Sequence, residues 1–162
     1  MEWAIVKIVE LLAEGERAIS IINMLKSEGI TITRPTVYRI LKEVAKILRE
    51  FEFNFVRVKV SNEWQIDDMW MKIKGKVAWI TNVMDVGTRY WLAGYVSASR
   101  GAEASRMALS YARTICEKCP NCIKCDGYQG HKKAINELFN VRVISIPKSC
   151  LLYTSPSPRD RG

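Results

Sequence analysis

The stretch WQIDDMWMKIKGKVAWITNVMDVGTRYWLAGYVS, residues 64–97, is rich in β-branched and aromatic side chains and is broken by turn-forming residues at Lys74–Lys76 and Asp85–Thr88. Strands favour the first kind of residue and turns the second, so the spacing predicts three consecutive strands in a meander. The first strand carries Asp67 and Asp68, charges that a strand interior selects against.

Downstream, GAEASRMALSYARTI (residues 101–115) spaces Ala102, Met107, Leu109, Ala112 and Ile115 as a helix does. A short strand at Cys122–Asp126, a helix over Gly130–Phe139 and a strand over Val141–Ile146 come next. Three antiparallel strands and then helix-strand-helix-strand predict an α/β domain, a mixed sheet with helices on its faces. Asp126 ends the fourth strand. A carboxylate near a sheet interior is costly unless it meets a cation. Carboxylates from two strands suit a hard divalent ion such as Mg²⁺. The residues alone leave this open, because Asp67 or Asp68 could be an exposed strand-end residue and Asp126 a turn former before Gly127.

The run from Trp64 resembles the opening of the catalytic domain of DDE-type transposases from short prokaryotic insertion sequences. The matching elements are Trp64, the pair Asp67–Asp68 (Asp68 standing where Glu is usual), the turn Lys72–Gly75, and Asp85, Thr88 and Arg89. A second signature matches Asp126–Gly127 and the helix Ala134–Phe139. The resemblance covers about residues 63–146. It implies a ribonuclease H-like fold, with Asp67 and Asp126 as the first two catalytic, metal-binding carboxylates. It also implies Mg²⁺ (or Mn²⁺) as cofactor, and cleavage and transfer of double-stranded DNA at element terminal repeats and target by a homo-oligomer. Asp85, at a hairpin turn, is read as capping backbone amides instead.

Residues 2–50 show three helical patterns. The second stops at Gly29, and the third opens at Thr33 with Pro35 in its first turn. In the third, Val37, Ile40, Leu41, Val44 and Leu48 form one apolar stripe, expected to be buried. The pattern predicts a helix-turn-helix whose last helix reads DNA, Arg34, Thr36 and Arg39 meeting base edges while Lys42 and Lys46 neutralise phosphates. A plain three-helix bundle with a solvated outer face fits the same pattern. In FEFNFVRVKV, residues 51–60, the apolar alternation slips phase after Phe55, which predicts two strands meeting at a bulge or bend, as a wing or linker. The expected organisation is a DNA-binding domain over 1–50, a linker or wing over 51–62 and a partial catalytic domain over 63–149.

Cys116, Cys119, Cys122 and Cys125 recur at every third position. Residues three apart in a strand point to opposite faces, so Cys122 and Cys125 cannot share an ion there. The run is read as a loop and strand leading into Asp126, with a partial metal site at Cys116, Cys119 and Cys122 as the competing reading.

The family's third acid, a Glu on a later helix, has no counterpart. CLLYTSPSPRDRG, residues 150–162, has no helical period around Asp160. The expectation is a non-native or disordered tail, a C-terminally truncated catalytic domain, and little or no strand transfer from the chain as written.

The formal charge of +8 is uneven: residues 100–149 carry nine Lys/Arg against four acids. Such an excess favours a polyanionic partner. No apolar run approaches the ~18 residues of a membrane span, and the N-terminus lacks a signal peptide's features. The expected location is the cytoplasm, at the nucleoid. The rival reading is a helix-turn-helix transcription regulator with a cysteine-based metal or redox sensor, and a third is a nucleic-acid binder without chemistry.

Overall fold

The computed structural model describes residues 2–146; the tail expected over 150–162, Asp160 with it, lies outside them. The chain divides into two compact units, residues 1–55 and the remainder from Val56.

In the first unit, α1 (Glu2–Ala13), α2 (Ala18–Ser27) and α3 (Arg34–Phe55) pack around Ile8, Ala18, Ile21, Leu25 and Val37. Gly29 ends α2 as its residue type demands, with φ at 82°. The Gly29 amide donates to the Lys26 carbonyl and the Ile30 amide to that of Leu25, the paired closure of a Schellman motif. At the start of α3 the Thr33 hydroxyl lies 3.0 Å from that of Thr36.

Two expectations fail in α3. Residues 51–55 are helical rather than strand, and residues 56–62 make only an isolated bridge, Val58 to Cys116, among the described residues. The phenylalanines at 51, 53 and 55 fit a period of two. Val44, Leu48, Phe51 and Phe55, however, continue the four-three spacing of the helical stripe, and extending a formed helix adds a hydrogen bond per residue. The stripe is also not buried along its length. Val37 is enclosed, whereas Leu48, Phe51 and Phe55 are 60%, 56% and 73% exposed. The helix outruns the two short helices that cover its first half.

The second unit is a five-stranded sheet in the order β3-β2-β1-β4-β5. Its strands are β1 (Glu63–Ile73), β2 (Lys76–Asp85), β3 (Trp91–Ser97), β4 (Cys122–Cys125) and β5 (Arg142–Ser145). The first three form the expected antiparallel meander, while β4 runs parallel to β1 and β5 parallel to β4. The β1–β2 hairpin turns on Lys74 and Gly75, whose φ values of 50° and 78° match the right-handed strand twist. Helices α4 (Ala102–Ile115) and α5 (Gln129–Leu138) connect β3 to β4 and β4 to β5. Their inner faces, Ala108, Leu109, Ala112, Ile115, Ala134 and Ile135, close on Trp64, Ile66, Val83, Ile123 and Cys125. Full burial of a side chain such as Ile66 contributes about 1.5–3 kcal/mol. Met107 is 43% exposed on this helix, and Ala104 and Ser105 take inner positions.

Candidate active site

The parallel β1–β4 ladder pairs Glu63 with Cys122 and ends at Ile66 opposite Cys125. The next residue on each side is an aspartate, so Asp67 and Asp126 directly follow the last pair of the two adjacent strands. Both are largely enclosed, with 6% and 8% of their surface exposed. Charged groups are rarely buried so deeply without partners.

Asp126 is held at both oxygens. Its Oδ1 accepts the Tyr128 amide at 3.0 Å, and its Oδ2 accepts Arg100 Nη2 at 2.7 Å. The turn-forming role expected of Asp126 is therefore real. Burial works to raise its pKa, but the Tyr128 amide, Arg100 and His131 outweigh it and hold the carboxyl below its ordinary value. It is ionised at neutral pH.

Asp68 lies on the opposite pleat from Asp67. It is 4% exposed and takes Thr81 Oγ1 at 2.6 Å on Oδ1 and Arg100 Nε at 2.7 Å on Oδ2. One guanidinium thus joins Asp68 to Asp126. Its Cζ lies 3.8 Å from the Tyr128 ring centre and 5.5 Å from that of Trp79. Burial lowers the Arg100 pKa, the two carboxylates more than reverse this, and the net shift is upward. His131, fully buried on α5, has Nε2 at 3.4 Å from Asp68 and 3.6 Å from Asp126, and its Nδ1 sits 2.9 Å from Ser105 Oγ of α4. Ser105 is itself fully enclosed, so this chain of contacts ties the helices to the acids and exposes no nucleophile.

Asp85 is fully buried and accepts from the amides and hydroxyls of both Ser61 and Thr88 at 2.7–2.9 Å. Burial pushes its pKa up, yet those donors prevail and leave it lowered. It caps the turn into β3, as expected of a hairpin aspartate.

Cys122 and Cys125 lie on β4, with Cys125 and Cys116 buried and Cys119 exposed. Burial, then Asp85 and Cys119, push the Cys116 thiol up to about 12, so it stays protonated. Among the described residues no group of three or more His, Cys, Asp or Glu is arranged to hold a metal ion. Arg34, Arg39, Lys42 and Lys46 are exposed on α3, Thr36 is half-buried, and Arg34 stacks over the Tyr38 ring at 5.6 Å.

Sequence spacing did not single out Arg100, His131, Thr81 or Ser105. The one signal was compositional: His131 is the chain's single histidine, five residues beyond Asp126.

A mixed sheet of this order, with carboxylates gathered where a parallel strand pair ends, defines a ribonuclease H-like α/β domain. Residues 61–148 match the family model DDE_Tnp_IS240, described as a DDE domain, and the chain belongs to this family of DDE-type transposases. It is similar to a chain in the simian T-cell lymphotropic virus intasome with PP2A regulatory subunit B56 gamma, at 18% identity over 56% of this chain and 34% of that one, with a TM-score of 0.45. It is also similar to the HTLV-2 integrase catalytic core domain in complex with magnesium, in its dimeric form, at 13% identity over 55% of this chain and 62% of that one, with a TM-score of 0.45. The chain therefore spans about a third of the first protein and under two thirds of the second. No curated protein matches it. No helix among the described residues is long and apolar enough to cross a membrane.

Proposed function

We propose that the chain is the DNA-binding part and part of the catalytic domain of an insertion-sequence transposase, acting in the cytoplasm on nucleoid DNA. Its substrates are the terminal repeats of an element and the target duplex, and it works as a homo-oligomer. What supports the reading is the register of the parallel β1–β4 pair, whose last pair, Ile66 and Cys125, is followed on each strand by an aspartate, Asp67 and Asp126.

The donors fit a hard divalent cation: two largely enclosed carboxylates, one of them held ionised below its usual range. Oxygen donors of this kind suit Mg²⁺ or Mn²⁺ with several waters retained. When bound, such an ion activates a nucleophilic oxygen and stabilises the leaving oxygen at a phosphodiester. Asp67 and Asp126 would hold it, and the fixed orientation of Asp126 lowers the ordering cost of binding. Two carboxylates grip a divalent ion more weakly than three, so the chain by itself gives little or no strand transfer.

On α3, exposed Arg34 and Arg39 with Thr36 serve as base readers, and Lys42 and Lys46 as phosphate contacts. The test is Mn²⁺ binding by electron paramagnetic resonance. The chain should bind Mn²⁺, and Asp67→Asn and Asp126→Asn should each weaken binding at least tenfold. Undiminished binding in both variants would overturn the reading.

A further inference from the structure

We propose that Arg100, together with Asp68, is a positioning pair that fixes the Asp126 carboxylate for a divalent ion; this rests on the reading of Asp67 and Asp126 as metal-binding. Arg100 lies in the connection between β3 and α4 and reaches both acids at 2.7 Å, one with Nε and one with Nη2. Only the rigid planar fork of arginine presents two donors in that relation; a lysine ammonium is a point charge.

Asp68, held by Thr81 on one oxygen and by Arg100 on the other, is not assigned to the ion. Its negative charge instead cancels that of the guanidinium. The cluster then keeps the two charges of Asp67 and Asp126, matched to a dication, and the cation beside the site costs little repulsion. Asp126 is gripped by Arg100 on Oδ2 and by the Tyr128 amide on Oδ1, while each carboxylate oxygen keeps a further lone-pair site. The Tyr128 ring, 3.8 Å away, holds the guanidinium plane in place. Groups that orient metal-binding side chains in this manner commonly govern affinity without touching the ion.

The experiment is the Mn²⁺ affinity of the full chain, measured by electron paramagnetic resonance, for the parent, Arg100→Gln, Arg100→Lys, Asp68→Asn and the double variant Asp68→Asn with Arg100→Gln. Thermal melting is followed in parallel. Loss of a supporting group of this kind costs ~10-fold or more in affinity, and that is expected for Arg100→Gln in protein that is still folded. Arg100→Lys restores part of the loss, and the double variant is no worse than the weaker single one, since the two residues act as a unit. A residue that merely stabilised the fold would lower the melting temperature and leave the affinity of the folded fraction unchanged, and that result overturns the proposal. Tighter binding by Arg100→Gln overturns it as well, because the guanidinium would then be competing for the carboxylate. Should the Gln variant not fold, Arg100→Lys decides: affinity equal to the parent's rejects the fork. Absence of Mn²⁺ binding by the parent chain refutes the underlying metal reading first, and is told apart by that fact.

Discussion

Ile66 lies opposite Cys125 as the last pair of the parallel β1–β4 ladder, and the residue after each is an aspartate. That one register, between residues 59 positions apart in the chain, brings Asp67 and Asp126 to the same end of two adjacent strands.

The clearest contrast is between Asp126 and Asp85, both buried. Asp85→Asn removes an ionised acceptor of four hydrogen bonds and should destabilise the chain by about 1–3 kcal/mol in urea unfolding. Mn²⁺ affinity should stay within twofold of the parent's. Asp126→Asn should do the reverse on affinity, and equal effects of the two substitutions on Mn²⁺ binding would erase the distinction between them.

Acid stability depends on the same two residues. Both carboxyls sit below the ordinary aspartate value in the folded chain. Depressed values mean that their stabilisation is complete above the unfolded-state pKa and is lost as pH falls through the folded ones. Unfolding free energy should therefore fall steadily below about pH 4. Asp85→Asn should flatten that fall; a slope identical to the parent's would show that Asp85 takes no part.

His131 is fully buried, with Ser105 on one ring nitrogen and two acids near the other. His131→Ala opens a cavity and leaves the Ser105 hydroxyl only its 3.4 Å bond to the Gly101 carbonyl, for an expected loss of about 2–4 kcal/mol. His131→Gln, which keeps a polar group at the site, should recover part of it. Melting of the two variants at one temperature would contradict this.

On α3, Arg39→Ala should weaken binding to the cognate element end more than to random duplex, whereas Lys42→Ala and Lys46→Ala should weaken both alike. Each lysine removed should lower the slope of log affinity against log salt by about 0.9. Fluorescence anisotropy across a salt series reads both quantities. An unchanged slope in the lysine variants would leave the outer face of α3 merely solvated.

Gly75, with φ at 78°, closes the β1–β2 turn. Gly75→Ala should cost about 1 kcal/mol through backbone strain alone. The same substitution at Gly127, whose φ is not positive and whose Cβ position is open, should cost less. Chemical denaturation of both variants makes the comparison.

The meander, the order of the later helices and strands, and the capping role of Asp85 were all legible in the sequence. Each depends on residues within a few positions of one another: β-branched runs, a turn at Lys74–Gly75, an Asp next to a Gly. Where local signals conflicted, the reading failed. Phe51, Phe53 and Phe55 satisfy both a period of two and a helical stripe, and the helix already running through Leu48 carried on to Phe55.

The surroundings of the acids belong to the tertiary structure alone. Arg100 meets Asp68 across 32 residues and Asp126 across 26, and His131 meets Ser105 across 26. No periodicity spans such distances. The amino-acid order settled which side chains carry charge and which segments become strands; strand pairing and helix packing settled which of those charges meet. The reason is that backbone preferences act between near neighbours, whereas a buried carboxylate takes whichever donor the assembled sheet and helices bring within about 3 Å.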